Sequence, residues 1–181
     1  DEEAMARDFK VVYNAMLKAL EPERSAREDS HYVSKKQHLY KINPQWIESD
    51  VQFFDFYAKK GLEEISPKLS NEWLLLAMQF ANARFLADID RDWALQLSTI
   101  YEEQILKAME RMAQNFVRLQ QFEDVIYWAE KMLTFDVTHE EGYRLLMLSY
   151  YYLGSRREAL KMYEKCSAVL QENYQLVPME S

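Results

Sequence analysis

An apolar pattern recurs at a spacing of about 34 residues near the C-terminus of this chain. Shifting the sequence by this period places apolar residues over apolar residues in two consecutive segments. In the first segment the coinciding pairs are Met112 and Leu146, Ala113 and Met147, Phe116 and Tyr150, and Leu119 and Leu153. In the second segment they are Val125 and Ala159, Ile126 and Leu160, and Ala129 and Tyr163, followed by Glu130-Lys131 over Glu164-Lys165. The spacing within each segment is helical, so the pattern predicts two successive pairs of helices.

This period is typical of tetratricopeptide-like repeats, in which each unit is a helix, a turn and a helix. Such a unit buries its apolar face only by stacking on a neighbouring unit. The pattern therefore predicts a superhelix of stacked helices in the C-terminal two-thirds of the chain. Because arrays of this kind present extended surfaces to other molecules, binding is the first function to consider.

The composition favours a mainly helical protein. Among 181 residues there are three glycines and four prolines, and 49% are hydrophobic, which is enough for a core. The single cysteine, Cys166, excludes an internal disulfide, and we expect it to be a small buried core residue. No segment is apolar over the length that a membrane span or an export signal needs. We therefore expect a soluble cytoplasmic protein without a membrane partner.

Charge is distributed unevenly along the chain, whose net charge is −8. Residues 1–48 carry 8 Lys or Arg against 9 Asp or Glu, whereas residues 49–181 carry 14 against 21. The second part is therefore expected to repel phosphate backbones unless its charges are segregated.

The first part predicts one amphipathic helix followed by a hairpin. Over residues 4–20 the apolar stripe consists of Phe9, Val12, Tyr13, Met16, Leu17 and Leu20. Arg7, Asn14 and Lys18 lie opposite this stripe, and Lys10 lies at its flank. Residues 31–33 and 39–42 predict two strands around a basic tip at residues 34–37. Further helices are predicted at about residues 50–61, from about residue 70, and at about residues 93–119, 122–134, 139–153 and 156–173.

Several runs in the C-terminal part resemble a known family. They are Ala83–Asp88, Asp92-Trp93, Glu123–Ile126, Glu130–Leu133, His139–Met147 and Gly154–Cys166. In these runs the chain is similar to the bacterial transcriptional activator domain, the regulatory module of the Streptomyces antibiotic regulatory protein family. The resemblance covers about residues 50–178 and implies a tetratricopeptide-like fold with a role in transcription regulation.

In that family the module follows a winged helix-turn-helix DNA-binding domain. Residues 4–46 resemble the last portion of such a domain, with the recognition helix at residues 4–20 and a wing that ends in Leu39–Ile42. The resemblance implies DNA contacts from Arg7, Lys10, Asn14, Lys18, Lys35 and Lys36. We expect the cations to bind phosphates and Asn14 to contact a base edge. An ordinary solvated helix face carries similar residues and stays open as an alternative.

Two departures from the family pattern bear on this expectation. Residues 13–18 keep one cation where the family's recognition helix usually has a dense basic run, and Lys36-Gln37-His38 stands where the wing often has glycines. The chain also begins with Asp1-Glu2-Glu3, and nothing in it matches the first strands and first two helices of a winged domain. We therefore expect the numbered sequence to be a fragment that lacks competent DNA binding by itself.

No catalytic or metal-binding motif stands out. The three histidines have no metal-ligand spacing relative to one another or to Cys166. Three aspartates alternate from Asp88 to Asp92 as in a calcium loop, but the glycine and the final glutamate of such a loop are missing, which indicates a turn. We therefore predict no enzyme, no cofactor and no metal.

The tyrosines of the repeat divide into two groups. Tyr143, Tyr150 and Tyr163 occupy apolar positions of the repeat, and we predict them in the core. Tyr151 and Tyr152 point away from it and are candidates for a partner-binding surface.

Together the observations predict a mainly α protein: a tetratricopeptide-like helical superhelix preceded by a partial winged-helix unit of one helix plus a β-hairpin. Residues 1–46 are expected to be the C-terminal part of a winged helix-turn-helix domain, and residues 47–178 a bacterial transcriptional activator domain. The predicted function is that of a DNA-binding transcriptional activator. Its expected partners are DNA, and the transcription machinery or a second copy of the chain. The alternative is a tetratricopeptide-like adaptor that binds a protein or peptide without contacting DNA.

Overall fold

The computed structural model describes residues 2–25, 28–37, 39–81 and 85–178. Within these residues there are seven helices and one antiparallel pair of strands, which confirms the predicted mainly helical protein with a small hairpin near its N-terminus. In chain order the elements are α1 (Glu2–Leu20), β1 (Val33–Lys36), β2 (Leu39–Ile42), α2 (Asp50–Glu63), α3 (Pro67–Met78), α4 (Asp92–Arg118), α5 (Phe122–Phe135), α6 (Glu140–Tyr152) and α7 (Arg156–Tyr174). The chain divides into two compact units at the boundary between Ser49 and Asp50.

In the first unit, the apolar stripe of α1 is only partly covered. Leu17 is buried, as is Val33 at the start of β1. Four other members of the stripe keep between 39% and 67% of their surface exposed, namely Phe9, Val12, Met16 and Leu20. The helix therefore contributes a few anchoring residues to this unit rather than a whole buried face.

The first strand of the hairpin lies further along the chain than predicted, whereas the second strand is confirmed at residues 39–42. β1 pairs with β2 so that Val33 lies opposite Ile42 and Lys36 lies opposite Leu39. The predicted first strand at residues 31–33 is therefore wrong in position, and Lys35 and Lys36 belong to a strand rather than to the tip. The reversal begins instead at Gln37, whose φ of 56° turns the chain out of the ladder. His38 lies outside the described residues.

The second unit is a stack of helices in chain order. From α2 to α7 each helix packs against the next, and in addition α2 contacts α4 and α4 contacts α6. This is the arrangement expected when each helical pair buries its apolar face on a neighbouring pair. The main core includes Phe54, Leu74, Met112, Val125 and Leu146. A smaller cluster of Tyr143, Cys166 and Leu170 joins α6 to α7, so the predicted burial of Tyr143 and Cys166 is confirmed.

The start of α3 differs from its prediction near residue 70. The helix begins at Pro67, with Ser66 in extended conformation at the N-cap position. A proline at the first helical position loses no hydrogen bond, and its fixed φ suits a helix. The proline therefore begins the helix about three residues before its predicted start.

The two repeat units end their first helices with the same turn. Gln120 follows α4 and Gly154 follows α6, and both have positive φ, 58° and 76° respectively. Beyond α4 the Gln121 N–H donates to the Phe116 carbonyl at 3.0 Å, and the equivalent bond beyond α6 measures 2.8 Å. Such a bond satisfies a free carbonyl of the last helical turn where the residue after the helix has a left-handed conformation. The backbone thus confirms the repeat that the sequence predicted.

The outer side of α7 departs from the repeat. Ala129 of α5 is buried, whereas its counterpart Tyr163 is 52% exposed, so the prediction that Tyr163 belongs to the core is wrong. Tyr150 is partly buried against the main core, as predicted. The difference arises because α6 covers α5, whereas no described helix follows α7. A position in the repeat therefore predicts burial only where another helix follows.

Candidate nucleic-acid and partner interfaces

The polar face of α1 is open to solvent. Arg7, Lys10, Asn14 and Lys18 are all exposed. Arg7 and Lys18 stand eleven residues apart, which corresponds to about 16 Å along a helix. With Asn14 between them they follow one side of the helix, because intervals of seven and four residues bring side chains back to the same face. Arg7, Asn14 and Lys18 therefore share one exposed side of α1, as the sequence predicted.

An aromatic cluster fixes the hairpin against α1. The ring of Tyr40 on β2 lies 4.9 Å from that of Phe9 and 4.7 Å from that of Tyr13, both in edge-to-face geometry. Phe9 and Tyr13 also stack on each other at 6.1 Å. Aromatic pairs at such distances and angles stabilise a contact beyond simple area burial. Since Arg7 and Asn14 face away from this cluster, the hairpin leaves the polar face of α1 uncovered.

Lys35 and Lys36 do not act as a pair, because successive residues of a strand point to opposite faces. Lys35 lies opposite Tyr40, and its Nζ is 5.3 Å from the centre of that ring, so it sits on the face turned toward α1. Lys36 lies on the other face, together with Lys41, which is opposite Ser34. Lys41 was absent from the residues predicted to contact DNA. Its position on the same face as Lys36 follows only from the register of the two strands.

Glu21 organises the segment between α1 and the hairpin. Its carboxylate accepts hydrogen bonds from the Ser30 hydroxyl at 2.5 Å and from the His31 N–H at 2.9 Å, and it lies 3.5 Å from the Arg24 guanidinium. The hydrogen bond from Ser30 is the largest of the effects that lower the pKa of Glu21 below its ordinary value. Burial opposes it, and the His31 N–H bond and the charge of Arg24 lower the pKa further. Asn43 holds the other side by donating to the His31 carbonyl at 2.9 Å. The start of the hairpin is thereby fixed relative to the end of α1.

A patch of exposed and half-buried apolar side chains lies where the two repeat turns meet. Tyr151 and Tyr152 are exposed, as predicted. Tyr152 stacks on Phe122 at 4.7 Å with nearly parallel rings, which brings the turn after α4 next to the turn after α6. We call this surface the turn patch; it consists of Phe122, Tyr152 and Tyr151, which are joined by ring contacts. Sequence reasoning missed Phe122, because its partner lies at the far end of the next helix.

The residues that could carry other chemistry are dispersed. In the described ranges no three His, Cys, Asp or Glu side chains come together to hold a metal ion. Cys166 is buried, and that burial raises the pKa of its thiol, which keeps it in the unreactive protonated form. Across the helices that the structure describes, none combines the length and the hydrophobicity of a membrane span.

Comparison with known families identifies the helical array. Residues 50–180 match the model of the family described as the bacterial transcriptional activator domain. The match begins at the first residue of α2 and includes every helix of the second unit. No curated protein matches the chain.

Proposed function

Because the chain belongs to the bacterial transcriptional activator domain family, we propose that it is part of a DNA-binding regulator that activates transcription. The first unit is proposed to be the C-terminal part of a winged helix-turn-helix domain of the type found in Streptomyces antibiotic regulatory proteins. The second unit is proposed to be the regulatory array that contacts partners. The proposal places the whole molecule in the cytoplasm, where its DNA target lies.

One observation carries the proposed DNA interface. The first unit combines a helix whose polar face is exposed with a hairpin held against another side of the same helix by Tyr40. A helix of this kind enters a major groove with its polar face, while a neighbouring hairpin approaches the backbone. Arg7, Lys10 and Lys18 then bind phosphates, and Asn14 reads a base edge.

The two lysines of β1, Lys35 and Lys36, are proposed to contribute unequally to this interface. Lys36 lies on the strand face turned away from α1, where a phosphate can approach it without displacing another contact. The Lys35 ammonium already lies 5.3 Å from the centre of the Tyr40 ring, so a contact with DNA would compete with this interaction. We therefore propose Lys36, with its neighbour Lys41, as the stronger phosphate contacts of the wing.

Replacing Arg7 or Lys18 with alanine is expected to weaken DNA binding and to reduce the dependence of the binding constant on salt concentration. The measurement is a series of electrophoretic mobility shifts of the complete protein on its own promoter fragment, across salt concentrations. Each phosphate contact that is removed is expected to reduce the slope of log K against log salt concentration by about 1. Asn14→Ala is expected to leave this slope unchanged and to relax the preference at one base position by about 1–3 kcal/mol.

Arg157→Ala provides the matched control, because Arg157 is an exposed arginine on α7 in the other unit. Its salt slope should equal that of the unmodified protein. Slopes for Arg7→Ala and Lys18→Ala that also equal it would show that α1 is an ordinary solvated helix.

The turn patch supports a second part of the proposal, that the array binds a second copy of the chain or the transcription machinery. Its two tyrosine rings are exposed and contact each other, and Tyr152 stacks on Phe122, so that both repeats contribute to the patch. Aromatic side chains of this kind are enriched at the centres of protein interfaces. The same patch would serve an adaptor that never contacts DNA, so the salt series above distinguishes the two functions.

Replacing Tyr151 and Tyr152 together with serine is expected to weaken self-association of the 181-residue chain by about tenfold or more. Sedimentation velocity over a range of concentrations measures the effect. Tyr163→Ser, which changes an exposed tyrosine on the outer side of α7, is the control and should associate like the unmodified chain. A chain that stays monomeric at the highest concentration would leave the transcription machinery as the partner and contradict self-association.

A further inference from the structure

The hairpin has one face that no described contact with α1 covers. Residues directly opposite each other in an antiparallel pair point to the same face, and successive residues alternate. Tyr40 contacts α1 through its ring, so the face that carries Tyr40 is the inner one. The opposite face, which we call the outer face, consists of Ser34, Lys36, Leu39 and Lys41.

Leu39 lies between the two lysines of the outer face. Lys36 is its direct partner on β1, and Lys41 follows two residues later on β2, so that the Leu39 and Lys41 Cα atoms are about 7 Å apart. Leu39 keeps 76% of its surface exposed, and both lysines are exposed as well. The structure describes all four residues of the outer face, and none of them is acidic. This face therefore presents one apolar side chain with positive charge on either side.

The minor groove of DNA matches such a face in size and in charge. The groove is about 6 Å wide and is bordered by the phosphates of both strands. Lysines that bind phosphates on its two sides would hold the residue between them over the groove. Leucine and other apolar side chains are known to enter minor grooves as wedges between successive bases.

We infer that Leu39 is an apolar wedge that enters the minor groove while Lys36 and Lys41 bind the phosphates on either side. The inference rests on the proposed DNA-binding function and adds a contact in the minor groove to the one proposed for Asn14 in the major groove. A protein surface is the less suitable occupant, because two ammonium groups beside a single leucine would lose their hydration in that interface.

Leu39→Ala is expected to weaken binding of the complete protein to its own promoter fragment by about tenfold, because the burial of the leucine side chain is lost. The salt dependence of binding should stay unchanged, since no phosphate contact is removed. Electrophoretic mobility shifts across salt concentrations measure both quantities. Lys36→Ala should instead reduce the slope of log K against log salt concentration by about 1.

Two further variants control for the length and the position of the leucine. Leu39→Met keeps a long apolar side chain and is expected to bind within about twofold of the unmodified protein. Leu160→Ala shortens a leucine of the other unit that is 65% exposed, and it should have no effect. Unchanged affinity of Leu39→Ala would overturn the inference, and so would a reduced salt slope in this variant.

Modified promoter fragments identify the groove that Leu39 enters. Inosine in place of guanine removes amino groups from the minor groove, and 2,6-diaminopurine in place of adenine adds them, while the major-groove edges stay the same. The unmodified protein is expected to bind the inosine fragment about tenfold more tightly than the diaminopurine fragment, because added amino groups obstruct a wedge. Leu39→Ala should reduce this ratio to about twofold, whereas Asn14→Ala should leave it unchanged. A ratio for Leu39→Ala equal to that of the unmodified protein would overturn the placement in the minor groove.

Failure of the inference and failure of the proposed function give different results. If Arg7→Ala and Lys36→Ala reduce the salt slope but Leu39→Ala binds like the unmodified protein, the DNA interface stands and the wedge is wrong. If none of the lysine and arginine variants changes the slope, the proposed DNA interface itself is wrong.

Discussion

Replacing Gly61 with alanine is expected to lower the free energy of unfolding of the helical array by about 2 kcal/mol. Gly61 is buried within α2, and a Cβ atom added there would lie 2.5 Å from Leu74 Cγ and 3.1 Å from the Leu74 backbone N. Leu74 has no exposed surface, so its side chain cannot swing aside and α2 and α3 must separate. The gain of about 1 kcal/mol from the higher helix propensity of alanine offsets only part of this strain. Urea-induced unfolding followed by circular dichroism measures the difference.

A double-mutant cycle with Leu74→Ala tests this explanation. Leu74→Ala alone is expected to cost about 3 kcal/mol, as for other fully buried leucines. In its presence Gly61→Ala should cost almost nothing, because the Cγ and Cδ2 atoms are gone and the higher helix propensity of alanine offsets the remaining 3.1 Å contact with the Leu74 backbone N. Additive costs would show that the clash is not the cause.

Gly142 provides a control of the same residue type. It is also buried, but a Cβ atom there would meet the end of the Leu133 side chain at 3.0 Å, which can move. Gly142→Ala is therefore expected to change the free energy of unfolding by less than about 1 kcal/mol.

The second large effect is expected at Asn115, which joins α4 to α3. Its Nδ2 group donates to the Ser70 hydroxyl at 2.8 Å and to Asn71 Oδ1 at 2.9 Å, while the Ser70 hydroxyl donates to the Gly61 carbonyl at 2.7 Å. Asn115 has no exposed surface. Asn115→Ala leaves Asn71 Oδ1 without this buried donor and opens a cavity, which together cost about 3 kcal/mol. Asn115 Oδ1 has no hydrogen-bond partner among the described residues, so the substitution also removes an unpaired buried oxygen. This gain offsets part of the lost stability, and the expected decrease in the free energy of unfolding is about 2 kcal/mol.

The repeat itself provides the control for Asn115. Ser149 occupies the equivalent position in the next repeat and is equally buried, but its hydroxyl donates only to the Leu145 carbonyl of its own helix, at 2.8 Å. Ser149→Ala is expected to cost less than about 1 kcal/mol, since no contact between helices is lost. Comparable costs for the two substitutions, again measured by urea unfolding, would contradict a linking role for Asn115.

Local patterns were sufficient to predict most of the helices and the repeat. The apolar spacing of α4 to α7 is regular, so the elements and their turns followed from it within a few residues. The burial of a side chain was harder to predict where it depends on whether another helix packs over the one that carries it. Tyr163 fits the pattern of a core residue, yet no described helix covers it, and this can be known only from the assembled array.

The candidate interfaces show the same limit. Single residues such as Asn14 and Tyr152 were identified correctly as exposed, because a helix in isolation determines which side they occupy. Lys35 and Lys36 were treated as neighbours at a tip, whereas a shift of the strand places them on opposite faces. Phe122 and Asn115 were missed, since each acquires its role from residues far away in the sequence.

The order of contacts in the array has a mechanical consequence. Within the described part of the chain, each helix from α2 to α7 touches only its immediate neighbour or the next helix but one. A displacement that begins beside α2 can therefore reach α7 only by way of α4 and then α6. Any such displacement must therefore pass through two helices, α6 and α4, of which α4 is the longest helix and contacts four others.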